Sequence, residues 1–177
     1  MTTPRPEAGY SGTPLHRKLG VRPGHRVLAV AAPPGFPLDL LAADGTATVD
    51  AVPLDAVTGD AATPAAVGDG PGGAAHVVLA FCPDAATLHA VLAPAMAATA
   101  DPGGRCWIAW PKRASKVPTD LTEDVVRAAA LNSGWVDVKV CAVDPLWSGL
   151  CLMRRTRSSP GPPARPATPG RSSRSRD

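Results

Sequence analysis

The chain has 177 residues, of which 45% are hydrophobic and only 4% aromatic, so a domain of ordinary size must build its core mainly from valine, leucine and alanine. Residues 1–152 carry 11 basic and 14 acidic side chains, whereas residues 153–177 carry seven arginines and one aspartate. A slightly acidic body excludes the broad basic face that is typical of nucleic-acid-binding domains.

Composition divides the chain into a body and two flanking segments. Residues 1–9 are predicted to be a flexible leader, residues 10–155 one α/β domain, and residues 156–177 a disordered tail rich in arginine, proline and serine. Residues 53–75 are predicted to be a mobile loop, because their small side chains bury too little surface to offset backbone entropy. No signal-peptide pattern or membrane-length apolar run occurs, so a cytoplasmic protein without membrane contact is expected.

The first predicted elements are a short helix and two strands. Pro14 at the first helical position and Gly20 as a stop predict a helix over 14–19. A buried strand follows over 26–31, and a second strand is predicted over 47–52, where small apolar residues alternate with polar ones.

The middle of the chain predicts a strand followed by a helix. The continuous apolar run over 76–82 is typical of a central parallel strand covered on both faces. The helix that opens at Asp84 carries an apolar stripe at helical spacing, and Pro94 inside it predicts a kink or a division.

The last third predicts a strand, a helix and a hairpin. Trp107 and Trp110 lie three apart on a strand over 105–110, so they are expected to point to opposite faces. A capping box of Asp120 and Glu123 predicts a helix over 120–133. The alternating residues that follow predict a closing hairpin of strands 136–142 and 147–153.

The order of these elements resembles a reduced class I methyltransferase-type Rossmann fold. The local matches are the approach to the first strand over Leu19–Leu28, the helix and Pro-Gly-Gly turn over Leu92–Arg105, and Trp147–Leu150 in the closing hairpin. The resemblance implies an α/β fold with a mostly parallel sheet, a C-terminal antiparallel hairpin and helices on both faces.

The chain is also similar to a bacterial family of small proteins of unknown function with this methyltransferase-like fold. The segments that carry the match are Gly9–Leu15, Ala109–Lys112, Thr119–Thr122, Lys139–Asp144 and Trp147–Leu150. They cover most of residues 9–155, and the resemblance implies no particular activity.

The loop after the first strand is poorly suited to a cofactor. A nucleotide-binding domain carries glycines there, whereas this chain has Ala31-Ala32-Pro33-Pro34-Gly35-Phe36. Proline offers no N–H to a phosphate or an S-adenosyl group, so no cofactor is expected. In the alternative of a divergent S-adenosylmethionine site, the cofactor-binding residues would include Gly35 and Asp50, with Asp50 on the ribose.

The best ligand candidate is the segment from Pro111 to Thr119. It follows a strand, leads into a helix N-terminus and offers cations and hydroxyls, and ligands bind at the carboxyl ends of strands in open α/β sheets. The alternative is a solvated basic loop that forms salt bridges with its own helix. The residues predicted to contact a small anionic ligand or an acidic protein partner are Trp110, Lys112, Arg113, Ser115, Lys116 and Thr119.

No catalytic or metal site is predicted. The histidines are scattered without a close acidic partner, and the cysteines lack C-x-x-C spacing and lie in predicted strands. The cysteines, expected to be reduced core residues, are Cys82, Cys106, Cys141 and Cys151.

The function expected from the sequence is a non-catalytic binding or regulatory module with a degenerate cofactor loop. Two alternatives stay open. One is a divergent S-adenosylmethionine-dependent methyltransferase. The other is a weak association of nucleic acid with the basic tail through phosphate contacts. Because the body of the chain is slightly acidic, nucleic acid is not the expected partner.

Overall fold

The computed structural model describes residues 12–42, 44–58 and 73–155. The predicted leader and tail, and most of the predicted loop, lie outside these ranges. The strands, in chain order, are β1 (Arg26–Val30), β2 (Thr48–Val52), β3 (Val77–Phe81), β4 (Arg105–Pro111), β5 (Trp135–Ala142) and β6 (Trp147–Arg154). The α-helices of the described residues are α1 (Leu15–Leu19), α2 (Asp55–Thr58), α3 (Ala85–Ala98) and α4 (Glu123–Leu131).

The strands form one sheet in the order β2-β1-β3-β4-β6-β5. β1 pairs in parallel with β2 and β3, and β3 pairs in parallel with β4. β6 is antiparallel to both of its neighbours, β4 and β5. This order confirms the α/β fold expected from the sequence, a reduced methyltransferase-like Rossmann sheet with an antiparallel C-terminal hairpin.

Helices cover both faces of the sheet. On one face, α2, α3 and α4 bury side chains such as Val57, Leu88 and Val126 against the strands. On the other face, α1 and a 3₁₀ turn over Leu38–Leu41 cover the sheet. Trp107 belongs to this second core and Trp110 to the first, as their spacing predicted.

Helix α3 is continuous, and its apolar stripe is buried. Pro94 lies inside the helix without dividing it, so of the two outcomes predicted for it, a kink or a division, the division does not occur. Proline removes one backbone hydrogen bond from the helix, whereas burial of Leu88, Val91 and Met96 holds the flanking turns against the sheet. Full burial of a side chain of this kind contributes about 1.5–3 kcal/mol.

Helix α4 begins later than the sequence predicted. Thr122 is its N-cap, and its hydroxyl accepts a hydrogen bond from the Val125 amide at 3.3 Å. Asp120 does not open this helix, because its carboxylate accepts from the Ala85 amide at the start of α3, 2.8 Å away. The chain therefore stays extended through 120–122, and the predicted capping box does not form.

The start of the predicted mobile loop is helical. Residues Asp55–Thr58 form α2, in which Val57 is buried against the core. The prediction of a loop over 53–75 is therefore wrong at this turn, where the buried Val57 and a hydrogen bond from the Thr58 hydroxyl to the Leu54 carbonyl hold a helix. Residues 59–72 lie outside the described residues.

Candidate functional site

A surface pocket of about 390 Å³ lies at the carboxyl end of β4. It is bounded by that strand, by the loop after it, by the N-terminus of α4 and by the start of β6. The residues that line it are Trp110, Lys112, Arg113, Leu121, Thr122, Glu123, Asp124 and Ser148. A volume near the lower end of the range for ligand sites suits a small metabolite.

Three of the predicted ligand residues line this pocket, namely Trp110, Lys112 and Arg113. Trp110 is buried, with 6% of its surface exposed, so the pocket meets one part of the indole. Lys112 and Arg113 follow β4 directly and start a 3₁₀ turn over Arg113–Ser115.

The other three predicted residues lie outside the pocket lining and shape the loop. The Ser115 hydroxyl donates to the Lys112 carbonyl at 2.6 Å. The Thr119 hydroxyl accepts from the Leu121 amide at 3.1 Å. Lys116 is exposed and has a left-handed backbone conformation with φ of 58°.

The two cations of the pocket differ in how firmly they are held. The Lys112 ammonium donates to the Asp144 carbonyl at 2.6 Å, and the Lys112 amide donates to the Leu146 carbonyl at 2.8 Å. Arg113 is exposed and has no hydrogen-bond or ion-pair partner in the part of the chain that the structure describes. Its guanidinium is therefore available to a ligand.

The acidic residues of the pocket lining lie at the start of α4 and are both held by Arg127. Its guanidinium pairs with Glu123, with Asp124 at 3.0 Å and with Asp137 on β5 at 2.9 Å. The hydrogen bonds that Arg127 donates to Asp137 and Glu123 raise its pKa above the usual value. The pocket thus has a cationic wall at 112–113 and a carboxylate wall at 123–124.

The loop after β1 is closed by its own contacts. The Ala31 amide donates to the Val52 carbonyl at 2.9 Å, and the Phe36 amide donates to the Pro33 carbonyl at 3.0 Å. Gly35, with φ of 80°, lies in the turn between these prolines and Phe36. A short 3₁₀ turn follows in place of an α-helix, so the loop does not lead into a helix dipole of the kind that binds anions.

Aromatic packing covers this edge of the sheet. The Phe36 ring lies 4.8 Å from the Phe81 ring, and the Phe81 ring lies 5.1 Å from that of Trp147, both edge to face. The Asp50 carboxylate, within β2, pairs with Arg26 of β1 at 2.9 Å. Neither Gly35 nor Asp50 lines the pocket at the end of β4.

The structure also brings together two histidines that the sequence reasoning left scattered. The rings of His25 and His76 stack 4.5 Å apart at the amino edge of the sheet. Each accepts a backbone hydrogen bond at Nδ1, from Arg22 at 3.2 Å and from Arg26 at 3.1 Å respectively. The available signal was a histidine just before each of two strands, which becomes informative only once β1 and β3 are known to be neighbours.

Stability is expected to fall as the pH drops below about 6.5. Burial and the nearby His76 lower the pKa of His25 from its usual 6.5. As the pH falls, the unfolded chain therefore binds a proton at His25 before the folded chain does, and this lowers the free energy of unfolding. Thermal unfolding between pH 7 and pH 5 measures this effect. Asparagine can replace the Nδ1 acceptor without titrating, so His25→Asn should flatten the slope, and an unchanged slope would contradict the assignment.

The cysteines are buried thiols rather than nucleophiles. Burial raises the pKa of Cys82 and of Cys106 to about 12, and that of Cys151 to about 11. Cys141 is partly buried, and its pKa is raised by the same cause. All four are free. In residues 12–42, 44–58 and 73–155, no group of three or more histidine, cysteine or acidic side chains is placed to hold a metal ion.

None of the helices in the described ranges is both long enough and apolar enough to cross a membrane.

No protein-family model and no curated protein sequence matches the chain. Among solved structures it is similar to YjhP from E. coli, with 15% identity over 80% of this chain and 90% of that chain and a TM-score of 0.49. It is also similar to a release-factor-specific protein-(glutamine-N5) methyltransferase from Alicyclobacillus acidocaldarius. The identity is 17% over 80% of this chain and 91% of that chain, and the TM-score is 0.48. For the 23S rRNA methyltransferase ErmE the identity is 16% over 80% of this chain and 66% of that chain, with a TM-score of 0.44. The strand order of this chain shows an α/β protein with a Rossmann-like sheet, mostly parallel and ending in an antiparallel hairpin.

Proposed function

We propose that the protein is a small-molecule-binding module whose ligand site is the pocket at the carboxyl end of β4. The observation that carries the proposal is the set of groups that line this pocket. Trp110, Arg113, Thr122 and Ser148 line one small volume, and the Arg113 guanidinium has no partner among the described residues. This edge of an open α/β sheet is where ligands bind.

Binding fits the lining better than catalysis does. Ser148 is the side chain nearest in type to a nucleophile, and no histidine is among the residues that line the pocket. Glu123 is the nearest in type to a general base, but one of its oxygens bonds to Arg127 and, among the described residues, no hydrogen bond joins it to Ser148. A nucleophile needs a base within hydrogen-bond reach, and the lining offers no such pair.

Methyl transfer from S-adenosylmethionine is the second candidate function. The strand order favours it, and so does the left-handed backbone of Ala31, with φ of 52°, directly after β1. The residues present at that edge do not fit the cofactor. The prolines lack N–H groups, the Ala31 and Phe36 amides already donate to carbonyls, and Asp50 is paired with Arg26.

Amide and indole NMR shifts of the full chain separate the two candidates. A panel of amino acids, carboxylic acids, amines and sugar phosphates should contain a compound that saturably shifts the Trp110 indole and the Glu123 and Ser148 amides. Arg113→Met should weaken that binding at least tenfold. The matched control is Arg17→Met, since Arg17 is exposed on α1 on the other face of the sheet.

Two results would overturn the proposal. One is a panel in which no compound shifts the pocket resonances. The other is saturable binding of S-adenosylmethionine with shifts centred on residues 31–36, which would establish the second candidate instead.

A further inference from the structure

We infer that the ligand of this pocket is a small zwitterion of the amino-acid type with an apolar side group, an inference that rests on the proposed function. The loop after β4 gives the pocket two cations, the start of α4 gives it two carboxylates, and Trp110 and Leu121 add apolar surface. A ligand that matches all three surfaces carries an anionic group, a cationic group and an apolar group on one small frame.

The cationic wall selects the anionic group of the ligand. Arg113 presents a planar guanidinium that can take a carboxylate through two parallel hydrogen bonds. Lys112 adds a second positive charge next to it, and its ammonium uses one of three N–H groups on the Asp144 carbonyl. A ligand with only a positive charge would meet two cations here.

The acidic wall selects the cationic group of the ligand. Glu123 lines the pocket, and 43% of its side chain is exposed, so one of its oxygens can accept from a ligand while the other bonds to Arg127. Asp124 pairs with the same guanidinium at 3.0 Å. The two carboxylates share one guanidinium with Asp137, so this group keeps a net negative charge that disfavours a ligand with only a negative charge.

The floor of the pocket selects the apolar group. Trp110 and Leu121 line the pocket from the core side, with 6% and 2% of their surfaces exposed. Their buried positions give the pocket a fixed apolar surface. A flat or branched hydrocarbon group can pack on this surface while the charged end of the ligand spans the walls.

Three compounds that share one ring test this inference by NMR titration of the full chain. L-phenylalanine carries both charges, 3-phenylpropionate lacks the ammonium, and phenethylamine lacks the carboxylate. We expect phenylalanine to bind at the pocket at least tenfold more tightly than either analogue.

Two variants assign the charges to their walls. Arg113→Met should weaken phenylalanine binding at least tenfold and leave phenethylamine unchanged, whereas Glu123→Gln should weaken phenylalanine binding and leave 3-phenylpropionate unchanged. The matched controls are Arg17→Met and Asp44→Asn, since both residues are exposed and do not line the pocket. Neither control should change any of the three affinities.

The outcomes that overturn the inference are distinct from failure of the proposed function. Binding of either analogue within threefold of phenylalanine would show that the pocket does not read both charges. Failure of all three compounds would overturn the inference as well. If another compound of the panel still shifts the pocket resonances saturably in either case, the pocket binds small molecules but its ligand is not a zwitterion. If no compound of the panel does so, both the proposed function and the zwitterion inference are wrong.

Discussion

Replacing Trp107 by alanine is expected to lower the free energy of unfolding by about 3–5 kcal/mol. Trp107 is fully buried in the centre of β4, within the core that faces α1. Its indole N–H donates to the Leu19 carbonyl at 3.0 Å and so ties α1 to the sheet. Because an ordinary domain is stable by only about 5–15 kcal/mol, this variant should unfold at a much lower urea concentration, as followed by circular dichroism.

Two further variants separate the volume of the ring from its hydrogen bond. Trp107→Phe keeps an aromatic ring but leaves the Leu19 carbonyl without its partner, which costs about 1–3 kcal/mol. Leu146→Ala alters a side chain that is 48% exposed and should change stability by no more than about 0.5 kcal/mol. A Trp107→Ala variant as stable as Leu146→Ala would contradict the role given to the indole.

Replacing Gly104 by alanine is expected to destabilise the protein by about 2–3 kcal/mol. The added Cβ would clash with backbone atoms of Ala100, which cannot move aside as a flexible side chain can. A Cβ at this position would lie 2.3 Å from the Ala100 carbonyl oxygen and 2.7 Å from Cγ2 of Thr99. Ala100 cannot easily withdraw, since its amide donates to the Ala75 carbonyl at 2.8 Å and its carbonyl accepts from the Gly104 amide at 3.1 Å. Urea denaturation of the purified variant measures the loss.

Gly45→Ala is the matched control for this clash. Gly45 has φ of 81°, and a Cβ there would meet no atom within 4 Å, so only the left-handed backbone is strained, at about 1 kcal/mol. Gly104→Ala should therefore be the more damaging change. If the two variants lose the same stability, close approach of the backbone is not the reason for glycine at position 104.

The sequence predicted the fold where the apolar pattern within one segment is sufficient to identify a buried strand or helix. The apolar run before Cys82 became β3, buried at every position, and the stripe on α3 became a buried helix face. The start of α4 was missed because it depends on a distant contact. The carboxylate of Asp120 bonds to Ala85, 35 residues away, and no pattern within one segment can report that contact.

The candidate site was predictable by half. Its basic half follows one strand continuously, so Trp110, Lys112 and Arg113 could be identified together. Its other half depends on tertiary approach, since α4 contributes the carboxylates and β6 contributes Ser148. Glu123 and Asp124 could not be assigned to the site from the sequence, because their shared partner Arg127 and their approach to the loop after β4 are visible only in three dimensions.

The anchoring of Lys112 determines how a ligand can come and go. Its amide and ammonium both bond to the turn between β5 and β6, where the Asp144 carboxylate in turn accepts from the Leu146 and Trp147 amides at 2.7 Å. These hydrogen bonds hold Lys112 in place. On the cationic wall, the Arg113 guanidinium is the group that can change rotamer without breaking a described hydrogen bond. Rotation of an exposed side chain takes picoseconds to nanoseconds, so we expect a ligand of this pocket to exchange through movement of Arg113 while the hydrogen bonds of Lys112 stay intact.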